Sequence, residues 1–246
     1  MNRVFVIIPA RYESKRFPGK PLALICNKPM IQHVYERACM CKYVDDVYVA
    51  TDDKRIVSCV KDFGGKVLLT SKGHRSGTDR IFEAAKLLGM NKEDIIINIQ
   101  GDQPVFDPSI ISLLVNSLKE EAISMATLMY PLKDNKELTD PNCVKVITDK
   151  NGFAIYFSRS VIPYNRDKLP FTYYKHIGIY GYKMDFLEVF ANLPEGRLEK
   201  VERLEQLRAI EYGYKIKVLE SPSDSVDVDV PEDLMKLNKA ICPEKS

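Results

Sequence analysis

The sequence predicts an α/β fold in which helices flank a mostly parallel, Rossmann-like sheet. In the first part of the chain, short apolar runs alternate with stretches of helical spacing, as in consecutive βαβ units. The first and fourth runs are apolar almost throughout, which is typical of strands buried on both faces. After Leu118, extended runs follow one another without long helices between them, and they predict a smaller mixed or antiparallel lobe. Ligands are therefore expected at the carboxyl ends of the parallel strands.

Each element follows from its own pattern along the chain. The parallel part has predicted strands at Val4–Ile8, Val47–Thr51, Lys66–Leu69 and Ile95–Ile99, and predicted helices at Met30–Cys41, Asp53–Phe63 and Thr78–Leu88. The lobe has extended runs at Ser124–Tyr130, Val144–Thr148, Ala154–Ser158 and His176–Lys183, with a helix from about Asp185. The chain then returns through a helix at Leu198–Tyr212, a strand at Lys215–Leu219 and a helix near Pro231, a residue suited to a first helical turn.

A single domain is predicted, because the sequence contains no repeat, low-complexity segment or long polar linker. Its nucleotide-binding core covers about residues 1–130 and 213–246, and the lobe covers about residues 131–212. A frayed tail is expected after about Ala240.

The charge balance argues against partners that would bind through a large net charge of the whole protein. Lys and Arg number 36 and Asp and Glu 34, which gives a formal net charge of +2. Neither nucleic acid nor a membrane surface is therefore expected as a partner. The N-terminal apolar run ends at Pro9 and is too short for a signal sequence or a membrane span, so a cytoplasmic protein is expected.

The cysteines favour reduced structural thiols. They lie scattered, without a Cys-x-x-Cys pair or a histidine at zinc-ligand spacing. The six are Cys26, Cys39, Cys41, Cys59, Cys143 and Cys242.

The loop after the first predicted strand is rich in cations. Arg11, Arg16 and Lys20 lie in it, while Pro18 and Gly19 prevent helix continuation and let the backbone approach a ligand. Because the loop follows a buried strand, it directs positive side chains and free amides at a bound anion. It therefore predicts a phosphate site and a nucleotide enzyme, with a solvated surface loop as the alternative.

A series of sequence blocks extends in one order over almost the whole chain. The blocks are Ile7–Tyr12, Arg16–Leu22, Asn27–Ala38, Ala50–Asp53, Ser76–Arg80, Gln100–Asp102, Tyr156–Arg159, His176–Tyr180, Leu204–Arg208 and Val228–Leu234. In these blocks the chain resembles the 3-deoxy-manno-octulosonate (KDO) cytidylyltransferases. The resemblance implies a nucleotidyltransferase fold and the Mg²⁺-dependent transfer of CMP from CTP to the anomeric hydroxyl of KDO. Pyrophosphate is then released, and the product serves lipopolysaccharide or capsule synthesis.

Two carboxylates are candidates for the magnesium site. Asp102 follows the fourth predicted strand, and Asp229 lies just before the last helix. Magnesium takes one or two protein carboxylates and completes its shell with phosphate oxygens and water, and the resemblance implies this role for both residues. A turn residue and a helix N-terminal partner are the respective alternatives. Asp227 stays open as an additional ligand, because in an extended segment it shares a face with Asp229.

The nucleotide candidates lie at the carboxyl ends of three predicted strands. Arg11 and Lys20 are predicted catalytic residues, because fixed cations would stabilise charge on the leaving pyrophosphate. Asp102 is the third, because a metal bound there could lower the pKa of the attacking hydroxyl. Ser76 and Thr78 fit helix capping as well as nucleotide contact, and Gln100 fits a turn as well as the cytosine edge. The full predicted nucleotide set is Ala10, Arg11, Arg16, Lys20, Ser76, Arg80 and Gln100.

The second half supplies candidates for binding an acidic sugar. His176 and Tyr180 are four residues apart, which places them on one side of an extended strand. On sequence alone, buried core groups are the favoured interpretation of these two residues, and only the resemblance assigns them to the sugar. The predicted sugar set is Arg159 for the carboxylate, His176, Tyr180, Glu205 and Gln206.

Two departures from the family pattern keep the substrate open. Glu13 stands where the family usually has a small residue, and Gln103 where it usually has Glu. An 8-amino derivative of KDO, a sialic acid, transfer of another nucleotide onto a sugar phosphate, and a catalytically silent nucleotide-binding protein are therefore alternatives.

A homodimer is expected from the resemblance, with residues 132–171 as the interface segment. Aromatic residues in and near this segment are candidate anchors, with core packing as the alternative. They are Tyr156, Phe157, Tyr164, Phe171, Tyr173 and Tyr174.

Overall fold

Strands and helices alternate along most of the chain in the computed structural model, which describes residues 2–13 and 16–242. The strands are β1 (Val4–Ala10), β2 (Leu24–Ile25), β3 (Lys28–Pro29), β4 (Asp46–Thr51), β5 (Val67–Leu69), β6 (Ile95–Asn98), β7 (Met125–Pro131), β8 (Lys145–Thr148), β9 (Ala154–Ser158), β10 (Tyr174–Lys183) and β11 (Lys217–Glu220). The helices are α1 (Met30–Cys39), α2 (Lys54–Asp62), α3 (Gly77–Leu87), α4 (Ser109–Leu118), α5 (Asn135–Thr139), α6 (Met184–Asn192), α7 (Arg197–Glu202), α8 (Leu207–Glu211) and α9 (Pro231–Ile241).

The main sheet has the strand order β11-β7-β10-β6-β1-β4-β5. β1 pairs in parallel with both β4 and β6, and β11 pairs in parallel with β7. β10 runs antiparallel to its neighbours β6 and β7. The predicted fold class is confirmed, and the carboxyl ends of β1, β4, β5 and β6 meet at one edge.

The strands predicted for the lobe are largely part of this same sheet. β10 pairs with β6 in the register Tyr180↔Asn98, which places the second half of the chain directly beside the parallel strands. β8 and β9 extend from the start of β10 as an antiparallel addition. Sequence reasoning underestimated this continuity because strand order depends on long-range register, which no local pattern encodes.

Two buried layers hold the sheet between its helices. β1 is buried along its whole length, and its side chains alternate between the two layers. Val6 and Ile8 pack in one layer with α1 and α4, whereas Ile7 packs in the other with α3 and α6. This packing fixes the end of β1, and with it the start of the cation-rich loop.

The predicted single helix at Leu198–Tyr212 is wrong, because the structure divides it into α7 and α8. Arg203 adopts a left-handed conformation with φ 55° and ends α7. Glu199 accepts hydrogen bonds from the Gly196 amide at 3.0 Å and the Arg208 guanidinium at 2.5 and 2.7 Å, which ties the two short helices together. The helix α4 and the hairpin β2–β3 were not predicted.

The prediction that all cysteines are reduced is wrong for one pair. Cys26, in the β2–β3 turn, forms a disulfide with Cys242 at the end of α9, with 5.5 Å between the two Cα atoms. The partners are 216 residues apart, so spacing gave no signal. The other four cysteines are free thiols.

The end of the chain matches the predicted last helix, which begins at Pro231 and continues to Ile241. The predicted frayed tail falls mainly on residues 243–246, which lie outside the described residues. In the part of the chain that the structure describes, no helix has the length and apolar character needed to span a membrane.

Candidate active site

Lys20 lies between the two predicted metal ligands. The Lys20 Nζ donates to Asp102 Oδ2 at 2.5 Å and to Asp229 Oδ1 at 3.5 Å. Asp102 follows β6 and Asp229 precedes α9, so three distant segments converge on one ammonium. The Lys20 side chain is 13% exposed, while the side chains of Asp102 and Asp229 are 30% and 42% exposed. The carboxylates therefore converge, as predicted, and they remain accessible from the cleft.

Both predicted arginines of the loop lie near this centre. Arg16 Nη2 donates to Asp229 Oδ1 at 3.1 Å, and Arg11 Nη2 donates to the carbonyl oxygen of His74 at 2.8 Å. Desolvation, followed by the charge of Arg80, lowers the pKa of Arg11. A second guanidinium nearby disfavours the charged form, so a polyanion bound between the two would relieve their repulsion.

Glu13 is exposed to solvent, and it lines the same cavity as Arg11 and Lys20. Arg55, near the start of α2, lies 3.2 Å above the ring of Tyr12 and forms an ion pair with Asp53. This stack holds the loop against α2, and the Arg55 charge balances that of Glu13.

A loop cavity of about 250 Å³ lies at the ends of β1 and β6. Gly101 forms part of its floor, where a Cβ atom would lie only 3.3 Å from the Pro9 carbonyl oxygen. The absence of a side chain lets the two strand ends approach each other. The predicted residues among its lining are Ala10, Arg11, Lys20, Gln100 and Asp102.

Residues at the start of α3 have both capping and binding geometry. Ser76 caps the helix by accepting from the Asp79 amide at 3.1 Å. Arg80 is almost fully buried, donates to Thr70 Oγ1 at 2.6 Å and forms an ion pair with Asp52 at 3.1 Å. Its Nε has no hydrogen-bond partner among the described residues, so Arg80 has donor capacity left for a ligand.

A strand cavity of about 240 Å³ adjoins the loop cavity and shares Gln100 with it. His176 and Tyr180 both line it, and their rings lie 5.3 Å apart. The prediction that they face the same side of β10 is therefore confirmed, although the strand is irregular between Ile177 and Tyr180. Its lining is Thr78, Asn98, Gln100, His176, Gly178, Tyr180, Tyr182, Phe190, Leu204, Glu205 and Gln206.

Burial holds two titratable groups of the strand cavity, His176 and Tyr180, in their neutral forms. Burial lowers the pKa of His176 to about 3 and raises the pKa of Tyr180 far above its ordinary value. Thr127 Oγ1 donates to the Ile179 carbonyl at 2.9 Å and lies 3.0 Å from His176 Nε2. The single hydroxyl proton of Thr127 is used in the bond to the carbonyl, so the hydroxyl oxygen can only accept from His176. This geometry favours a neutral imidazole with its proton on Nε2.

Glu205 and Gln206 present polar atoms that no described residue satisfies. Thr78 Oγ1 donates to Glu205 Oε2 at 2.7 Å, and burial raises the pKa of this carboxyl. Glu205 Oε1 and Gln206 Nε2 are buried and have no hydrogen-bond partner in the described residues. Glu205 Oε1 also lies 3.5 Å from Arg208 Nη2, at ion-pair distance but without a hydrogen bond. An acceptor and a donor with unused hydrogen-bonding capacity at a cavity wall indicate a place for a polar ligand.

Arg159 is the predicted sugar residue that the structure does not place in the strand cavity. Its guanidinium donates to the backbone carbonyls of Glu202 at 2.6 Å, Pro141 at 2.8 Å and Arg203 at 3.3 Å. In this arrangement it connects the loop before β8 with the end of α7, and its role as a carboxylate ligand stays a prediction.

Comparison with known proteins agrees with this geometry. A family model described as cytidylyltransferase matches residues 5–216. The chain belongs to the cytidylyltransferase family. An 8-amino-3,8-dideoxy-manno-octulosonate cytidylyltransferase of Shewanella pealeana is 56% identical over 233 residues, 94% of this chain and 95% of that protein. A 3-deoxy-manno-octulosonate cytidylyltransferase of Desulfatibacillum aliphaticivorans is 54% identical over 237 residues, 96% of this chain and 97% of that protein.

A solved structure extends the similarity to the whole fold. The structure of a CMP:2-keto-3-deoxy-manno-octonic acid synthetase complexed with CTP matches with a TM-score of 0.93. It is 42% identical in sequence, and the match covers 99% of this chain and 100% of that chain. The predicted family resemblance is therefore confirmed.

Sequence reasoning missed several contacts in this cytidylyltransferase. Asp52 pairs with Arg80, and Thr78 reaches Glu205 from the other half of the chain. Gln103 Nε2 donates to Asp227 Oδ1 at 2.8 Å. Each partner is a polar residue within or directly beside a block of the family pattern, but pairing them requires the fold.

Asp227 belongs to the same acidic region as the predicted metal ligands. Its side chain is accessible from the cleft, yet desolvation by the surrounding protein and the charge of Asp102 raise its pKa to about 7. No group of three or more metal-ligating side chains forms in residues 2–13 and 16–242. A magnesium site at this edge therefore rests on Asp102 and Asp229, a donor set that fits a hard cation completed by phosphate oxygens and water.

Proposed function

We propose that this cytidylyltransferase transfers CMP from CTP to the anomeric hydroxyl of a KDO-type acid and releases pyrophosphate. The observation that carries this proposal is the convergence of Lys20, Asp102 and Asp229 beside two adjoining cavities. One cavity is lined by cations of the loop after β1, and the other by buried neutral hydrogen-bonding groups. Two similar relatives are named for their acid substrate, one for the 8-amino derivative of KDO and one for KDO, and these two acids are the candidate substrates.

The triphosphate would occupy the loop cavity. Arg11 and Lys20 line that cavity, and Arg16 lies beside Asp229. Negative charge grows on the leaving pyrophosphate as the bond to the α-phosphorus breaks. Cations already positioned by ion pairs stabilise this charge with little reorganisation. Gln100 would lie at the junction with the acid, and Ser76 and Arg80 would flank the nucleoside.

Magnesium would be held by Asp102 and Asp229. Both oxygens lie within 3.5 Å of one cationic nitrogen, so the two carboxylates are close enough to share a second cation once Lys20 turns toward the phosphates. When bound, magnesium neutralises phosphate charge and favours ionisation of a coordinated hydroxyl. The chain's own contribution is to orient the two substrates so that hydroxyl and α-phosphorus lie in line.

The acid would bind in the strand cavity, next to the nucleotide. His176 and Tyr180 supply neutral hydrogen-bonding groups, and Glu205 Oε1 and Gln206 Nε2 supply an acceptor and a donor that have no hydrogen-bond partner among the described residues. In the transfer step, the anomeric oxygen forms a bond to the α-phosphorus while the bond to the pyrophosphate oxygen breaks. The hydroxyl proton leaves to solvent or to a neighbouring base, so atoms and charge balance.

A homodimer in the cytoplasm is proposed as the working form. The aromatic candidates differ in burial: Phe157 is buried in the core, Tyr164 and Phe171 are 87% and 52% exposed, and the other three are half-buried. The exposed pair lies between β9 and β10, where a second subunit would cover apolar surface. A molar mass measured by light scattering at twice 28.1 kDa supports this proposal, and a mass of 28.1 kDa refutes it.

The proposed function is tested by a substrate panel with the wild-type protein. Pyrophosphate release is measured with CTP or TTP, each combined with KDO, 8-amino-KDO, a sialic acid or a sugar 1-phosphate. Release with CTP and a KDO-type acid, with CMP-sugar as the second product, is expected. Release only with a sialic acid or a sugar phosphate contradicts the proposed acid. CTP binding without release under all conditions identifies a nucleotide-binding protein instead.

A further inference from the structure

Gln103 and Asp227 form a polar pair beside the proposed catalytic centre, and the transfer chemistry uses neither. The segment around Asp227 runs antiparallel to the chain after β6. The Val226 amide donates to the Val105 carbonyl at 3.0 Å, and the Val228 amide donates to the Asp102 carbonyl at 2.9 Å. These bonds place the Asp227 carboxylate against Gln103, whose Nε2 donates to Asp227 Oδ1 at 2.8 Å.

The amide of Gln103 is left with an unpaired acceptor. Because Nε2 faces Asp227, the other amide atom, Oε1, is fixed on the opposite branch of the group. Gln103 is only 2% exposed, and Oε1 is buried without a hydrogen-bond partner among the residues that the structure describes. A buried acceptor without a partner costs about 1–3 kcal/mol, so the site is suited to an incoming donor.

Asp227 differs from its two acidic neighbours in its ion pairs. Asp102 pairs with Lys20, and Asp229 pairs with Lys20 and Arg16. In the described ranges, no lysine or arginine lies within ion-pair distance of Asp227. The pair with Gln103 therefore presents a carboxyl group without a cationic partner and an amide oxygen, and a bound cation would stabilise the ionised form of the carboxyl group.

This pair borders the cavity assigned to the acid. Gly178 lines the strand cavity, and a Cβ atom there would lie 3.9 Å from Gln103 Nε2. The absence of a side chain at Gly178 thus leaves Gln103 directly behind the cavity wall. A substituent carried by the bound acid would approach the pair across Gly178.

We propose that Gln103 and Asp227 bind a primary ammonium group on the acid substrate and select the 8-amino acid over the 8-hydroxy acid. The inference rests on the proposed function and specifies the substrate within it. An ammonium has three donors and a positive charge, so it satisfies both acceptors and neutralises Asp227. A hydroxyl has a single donor and leaves the charge uncompensated. The similar relatives include enzymes named for either acid, so residues of this chain must decide between them.

The test compares kcat/KM for 8-amino-KDO and KDO at saturating CTP and Mg²⁺. The wild type is expected to prefer the amino acid sugar. Asp227→Asn keeps the shape and removes the charge, and it is expected to lower the ratio of amino to hydroxy kcat/KM by about tenfold or more, as for hydrogen bonds to charged groups. The matched control is Asp224→Asn, because Asp224 belongs to the same acidic stretch but pairs with Lys175 at 2.6 Å. It is expected to leave the ratio unchanged.

Three results would overturn the proposal. They are a wild type that prefers KDO, an unchanged ratio in Asp227→Asn, and equal losses with both acids accompanied by a higher Mg²⁺ requirement, which would identify Asp227 as a metal ligand. If Asp227→Asn does not fold, Gln103→Met removes the unpaired acceptor and must lower the same ratio. Failure of the wild type with both acids would refute the proposed function and is distinct from these outcomes.

Discussion

The loop cavity and the strand cavity lie at one edge of the sheet and differ in the charge of the side chains around them. Around the loop cavity, charges are abundant, paired with one another and partly exposed, as in the ion pairs of Lys20 and Arg16. Around the strand cavity, His176 and Tyr180 are enclosed and held neutral. The first arrangement suits a polyanion, which would replace the existing ion-pair partners, whereas the second suits the hydroxyl groups of a sugar acid through preformed hydrogen-bonding groups.

The largest loss of activity is expected from a substitution at Lys20, in the charged region around the loop cavity. Lys20→Met removes the cation that contacts both carboxylates and lines the loop cavity, so kcat/KM for CTP should fall by about a thousandfold. Lys28→Met is the matched control, because Lys28 pairs with Glu36 on the surface. Steady-state pyrophosphate release measures both variants, and a loss of less than about tenfold in Lys20→Met would contradict the assigned role.

A smaller effect is expected in the neutral region around the strand cavity, and it should change KM for the acid rather than KM for CTP. Glu205→Gln replaces one of two acceptor oxygens, so KM for the acid should rise by about tenfold while KM for CTP stays nearly constant. Glu195→Gln, which alters a surface pair with Lys200, serves as the control. Varying each substrate separately provides the measurement. Equal changes in both KM values would show that the two cavities do not act separately.

The last effect is on stability rather than activity, and it follows from the burial of His176. Its folded-state pKa is lowered to about 3, whereas the unfolded chain binds the proton near 6.5. The unfolded state therefore takes up a proton first as the pH falls, so the folded state loses stability below pH 6.5. Relative to His176→Gln, the wild type should lose about 1.4 kcal/mol of unfolding free energy per pH unit in this range. Urea titrations at a series of pH values test this, and parallel pH profiles of the two proteins would contradict it.

The charged region was the easier of the two to predict from sequence. The βαβ alternation places Arg11 and Asp102 at neighbouring strand ends, because carboxyl ends of parallel strands share an edge. Pro18, Gly19 and the cations mark the loop in one continuous segment. Predicting the position of Asp229 required only that the chain return to this edge of the sheet before α9.

The neutral region depends on long-range register. His176 and Tyr180 are recognisable as one face of a strand, but the pairing of β10 with β6 is what brings them beside Gln100. Arg159 satisfies three backbone carbonyls in the structure, a use that its sequence block does not indicate. The disulfide of Cys26 and the break at Arg203 likewise arise from contacts between distant segments.

The junction of the two regions is tested most directly by pyrophosphate release with Asp102→Asn. The wild type and the variant are each given CTP alone, the KDO-type acid alone and both together with Mg²⁺, while CTP binding is measured by calorimetry. Release is expected only with both substrates, and only in the wild type, with CTP binding retained in the variant. Undiminished release by Asp102→Asn, or release from CTP without the acid, would contradict transfer at this site.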